Sequence, residues 1–135
     1  MKNQTKLILI GLISMMILSS TVVIVVFVDR NGPVIYEISI LPVSPVEGDY
    51  ISVKAYCTDS SGIYNTQLIN TLDGETWQEQ DMDFYACLCD AGGQWIGQFG
   101  PITDGDIIAF YVVSFDNSLN QNQAVSQTYT IEISN

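Results

Sequence analysis

Twenty-two consecutive residues, from Leu7 to Val28, carry no charge: LILIGLISMMILSSTVVIVVFV. As a helix rising about 1.5 Å per residue, this stretch covers about 33 Å, enough for the hydrocarbon core of a bilayer. The expectation is therefore a cytoplasmic N-terminus over residues 1–6, a transmembrane signal anchor over 7–28 and a short linker over 29–33. One folded domain follows over 34–134, since about a hundred residues support a single core. Lys2 and Lys6 precede the stretch, whereas Asp29 and Arg30 follow it and cancel. The positive-inside bias then places the domain outside the cell, on the plasma membrane, with the chain crossing once. Cleavage after the small residues Ser19, Ser20 and Thr21 is the rival reading. It would leave VVIVVFV as a bare apolar terminus, so the uncleaved anchor is preferred.

The remainder is acidic. From Asn31 onward, fourteen carboxylates face the single cation Lys54. Phosphate binding needs clustered Lys and Arg, so nucleic acid is excluded as a partner. Besides the membrane, held through Leu7 to Val28, the expected partner is a protein or a surface polymer. There is no histidine, no G-x-S-x-G and no phosphate-binding loop, so no catalytic site and no enzyme activity are expected.

Alternation carries the fold. After the breaker Gly32-Pro33, residues 34–41 read VIYEISIL, a β-branched run. From 50 to 58, Ile51, Val53, Ala55 and Cys57 share the inward face and Ser52, Lys54, Tyr56 and Thr58 the other. Further strands are expected over 63–72, 75–80 and 94–99, with Trp95, Gly97 and Phe99 on one face. The run 106–116, DIIAFYVVSFD, is the most apolar and the expected centre, and 124–133 closes the domain. Met82, Phe84, Ala86 and Leu88 share a parity assigned to the core. Asp73-Gly74 marks a hairpin. Seven or eight short strands separated by turn signals predict an all-β antiparallel sandwich behind one transmembrane helix.

Gly48-Asp49 precedes the second strand, Asp59 to Gly62 follows it, and Trp77 and Met82 come next. With Phe110-Tyr111-Val112, Asp116 and Asn120, this order resembles the Ig-like or fibronectin-type-III-like modules of archaeal and bacterial surface proteins, which usually carry Gly where this chain has Leu119. The resemblance implies an Ig-like sandwich over nearly all of 33–134 and a role in adhesion, binding or envelope structure. A pilin-like filament subunit, or an accessory subunit of a larger membrane complex, is the alternative.

Three groups of residues are candidates for chemistry. In a sandwich, the loops after the second and seventh strands share one pole with the start of the first. Asp29, Asn31, Asp59, Asp116, Asn117 and Asn120 converge there, an oxygen-only set of the kind Ca²⁺ prefers. Capping of turn amides is the plainer role for Asp59 and Asp116. No other cofactor is expected. Cys57, Cys87 and Cys89 are disulfide candidates: Cys57 could bridge to Cys87 or Cys89, those two could bridge to each other, or the thiols stay free. Trp77, Tyr85 and Trp95 are read as packing residues, with a sugar-stacking face as the alternative.

Overall fold

The computed structural model describes residues 29–86 and 92–134. The predicted anchor lies outside them, as do Cys87, Leu88 and Cys89. Among the described residues there is no helix, so none is long and apolar enough to cross a membrane.

Among the described residues, nine strands form two antiparallel sheets. They are β1 (Val34–Leu41), β2 (Ile51–Thr58), β3 (Ile63–Thr71), β4 (Gln78–Asp81), β5 (Asp83–Tyr85), β6 (Gly92–Phe99), β7 (Ile108–Asp116), β8 (Gln123–Val125) and β9 (Tyr129–Ile131). One sheet runs β1-β2-β6-β5; the other runs β4-β3-β7, with β8 and β9 both pairing β7. The all-β expectation stands, and β1 has the predicted bounds.

Two expectations needed correction: the single closing strand over 124–133, and the core assignment of Phe84 and Ala86. The single closing strand is broken in two, because Ser126 takes over Val112: the Val112 amide donates to the Ser126 hydroxyl (3.0 Å). The stretch 78–85 belongs to both sheets. It pairs β3 up to Asp81 and β6 from Asp83, and the crossing residue Met82 donates its amide to the Thr66 carbonyl (2.8 Å). Met82 is buried as expected, but Ala86 is exposed and Phe84 is 53 % exposed. Phe84 does share Trp95's face, with ring centroids 5.2 Å apart. It lies on an edge strand of three residues, and β4 in the facing sheet has already ended at Asp81.

The core is the inward stripe of each sheet. Ile51, Val53, Ala55 and Cys57 of β2 lie beside Trp95 and Phe99 of β6, and Leu68, Ile108, Phe110 and Val112 face them. Size is matched across the gap. A Cβ on Gly97 would come within 2.9 Å of Leu68 Cδ2 and 3.2 Å of Met82 Cγ, so the missing side chain on β6 makes room for Leu68 of the facing sheet and for the crossing residue Met82.

The β3–β4 turn is held by one carboxylate. Asp73 Oδ1 accepts from Thr71 Oγ1 (2.9 Å), the Glu75 amide (2.8 Å) and the Thr76 amide (2.6 Å). These bonds, led by that of the Thr76 amide, hold its pKa far below the ordinary carboxylate value. A depressed folded-state pKa stabilises the fold above the ordinary value of about 3.9, and that contribution is lost as pH falls below it. The unfolding midpoint of Asp73→Asn should therefore decline less steeply than that of the native chain between about pH 4 and pH 2. Parallel curves over that range would remove Asp73 as a source of acid sensitivity.

Candidate metal centre

The loops after β2 and β7 and the segment before β1 meet at one pole. There Asp29, Asp59 and Asp116 each present a carboxylate oxygen within 4.8 Å of the others. Asp59 and Asp116 are buried and Asp29 is half-buried. Sheet register makes the meeting: β3 begins where β7 ends, with Ile63 opposite Asp116, and Val34 opens β1 opposite Thr58. Gly62, at φ +88°, turns the chain sharply enough for its amide to reach the Asp59 carbonyl (3.1 Å).

Each carboxylate is also a turn cap. Asp59 Oδ1 accepts from the Ser61 amide (2.7 Å) and hydroxyl (2.6 Å). Asp116 Oδ1 accepts from the Ser118 amide (3.1 Å), the Ser118 hydroxyl (2.7 Å) and the Asn122 amide (2.9 Å), while Oδ2 takes Asn122 Nδ2 (2.8 Å). Burial pushes the Asp116 carboxyl up, but these bonds outweigh it and leave its pKa below the ordinary value. Asp29 takes the Asn31 amide (2.9 Å) and the Ser60 hydroxyl (3.2 Å).

A carboxylate has about four acceptor sites. Asp116 has filled four, whereas Asp59 Oδ2 accepts no hydrogen bond among the described residues and Asp29 has used one site on each oxygen. Open acceptor capacity therefore faces a cluster of like charges, which a divalent cation would neutralise. Oxygen ligands at about 2.3–2.6 Å put opposite donors on one Ca²⁺ about 5 Å apart, so a spread within 4.8 Å is compatible with that ion, which would take the place of one of the hydrogen bonds to Asp116.

The remaining predicted residues divide. Asn120 reaches this pole, donating to the Asp29 carbonyl (3.3 Å). Asn31 joins through its carbonyl, which accepts from Asn122 (3.2 Å). Asn117 gives its backbone amide to the Gly62 carbonyl (3.0 Å), and its side chain makes no hydrogen bond among the described residues. Asn122 was not singled out from the sequence, yet it ties the pole together: Nδ2 contacts Asp116, Ser118 and the carbonyls of Asp29 (3.2 Å) and Asn31. Its only sequence signal was its place in a polar loop six residues after Asp116.

Cys57 is buried, and among the described residues it has no disulfide partner. Burial pushes its pKa up, more than the hydrogen bonds of Ser114 and Thr66 lower it. Its two candidate partners lie outside the described residues. The three aromatics share no face. Trp95 is in the core, Trp77 rests on Tyr111 (5.4 Å) and Tyr85 stands exposed on β5.

No protein-family model matches the chain, and no curated protein matches it. Among solved structures it is similar to a cycloalternan-degrading enzyme from Trueperella pyogenes, determined in complex with a covalent intermediate. The TM-score is 0.53 at 14 % identity. The match covers 69 % of this chain and 15 % of that one, so it speaks to the sandwich fold alone.

Proposed function

We propose that this protein is a membrane-tethered display module: residues 7–28 cross the bilayer, and residues 34–134 form an Ig-like sandwich outside the cell. The module is non-catalytic and binds a protein or a surface polymer in an adhesive or envelope-structural role. The strand order supports the Ig-like part, since β1-β2-β6-β5 facing β4-β3-β7-β8 follows the order of immunoglobulin-type sandwiches.

The observation that carries the reading is the junction. Asp29 follows the apolar stretch directly, and its carbonyl and carboxylate are hydrogen-bonded to Asn120, Asn122, Asn31 and Ser60. Whatever holds residues 7–28 thus holds the whole sandwich. Calcium at the same pole would tie the three segments together. A tethered domain is kept at high local concentration, which suits weak, repeated contacts.

Protease added to intact cells tests the topology. A C-terminal tag should be lost while an N-terminal tag survives; survival of the C-terminal tag would overturn the reading. Detergent pull-down then identifies the partner.

A further inference from the structure

We propose that the loop over residues 117–122 rests in the lipid headgroup layer, with Leu119 inserted, so that the sandwich stands on the bilayer by this pole. The inference rests on the anchor reading above.

Leu119 is 99 % exposed, and its loop, NSLNQN, carries no charge. Anionic headgroups repel the acidic remainder of the domain, the three clustered carboxylates of this pole included, so at this pole the uncharged loop is the part suited to close approach. The loop is closed rather than open-ended. Asp116 holds Ser118 and Asn122, and the Gln121 amide donates to the Ser118 carbonyl (3.1 Å), which leaves Leu119 in the span between.

The place where the apolar stretch joins the domain names the occupant. Asn120, the neighbour of Leu119, donates to the Asp29 carbonyl, and Val28, the last residue of the apolar stretch, immediately precedes Asp29. The chain therefore enters the sandwich beside Leu119. One leucine would hold a free protein weakly. Here tethering makes insertion an intramolecular event, so one side chain suffices. The opposite pole, with the loop between β1 and β2, then faces away from the membrane.

The test uses the full chain in phosphatidylcholine vesicles, with Cys57→Ala, Cys87→Ser and Cys89→Ser as background. An environment-sensitive fluorophore is attached at Leu119→Cys or, for reference, at Val43→Cys, since Val43 is 78 % exposed in the loop after β1. The label at position 119 should be blue-shifted, quenched by nitroxide-bearing lipid and several-fold better shielded from aqueous iodide than that at position 43. Protein that floats with vesicles but is equally open to iodide at both positions overturns this inference and leaves the anchor standing. Shielding without nitroxide quenching also overturns it, because protein would then cover the loop. Protein that fails to float removes the anchor reading and this one with it. If the cysteine-free chain does not fold, a genetically encoded fluorescent amino acid at position 119 in the native background gives the same readout.

Discussion

Calcium chloride at about 10 mM is expected to raise the thermal midpoint by about 6–22 °C. Extracellular Ca²⁺ modules have Kd values of about 10⁻⁴–10⁻³ M, which at that concentration corresponds to about 1.4–2.7 kcal/mol of linkage stabilisation. A domain of this size converts each kcal/mol into about 4–8 °C. The gain should vanish in Asp59→Asn. That change keeps an acceptor for the Ser61 amide and hydroxyl but removes charge from the residue whose Oδ2 is open. Magnesium should do less, because it demands a smaller octahedral shell and dehydrates reluctantly. Differential scanning calorimetry checks all three. A native midpoint unmoved by calcium would reduce the three carboxylates to turn caps.

Phe110→Ala should remove a large share of the domain's stability. Phe110 is buried near the start of β7, stacked on Tyr129 at 5.2 Å and tilted against Phe99 at 6.3 Å. It also walls a cavity of about 300 Å³ that lies between β1 and β9, beside Ile38, Ile40 and Ile131. Truncating such a ring costs about 3–5 kcal/mol, because the lost contacts leave a void that the sheets cannot close. Against a total stability of about 5–15 kcal/mol, the midpoint should fall by at least about 12 °C. Val125→Ala on exposed β8 should move it little, as surface changes usually stay within about 0.5 kcal/mol. A urea midpoint for Phe110→Ala equal to the native one would mean that the core lies elsewhere.

Much of this was legible from residue order. A period of two states which side chains share a face, so β1 and the inward set of β2 could be read directly. The convergence of Asp29, Asp59 and Asp116 was legible at one remove, because sandwich topology brings those loops to one pole. The crossing at Met82 was not. Residues 78–85 read QEQDMDFY with no turn signal inside them, and nothing local says that the pairing partner changes from β3 to β6. Asn122 escaped for a related reason. An asparagine in a polar loop looks like any other until the segment before β1 is packed against it.

The residues by themselves determined an acidic, strand-built domain, its inward faces and the uncharged stretch before it, since charge and periodicity are local properties of the chain. Only the tertiary structure decided which sheet each half of 78–85 joins, which amide ties the pole together and that Asp29 is bound into the domain. Those depend on contacts between residues as many as 93 positions apart, and local preference carries no information about them.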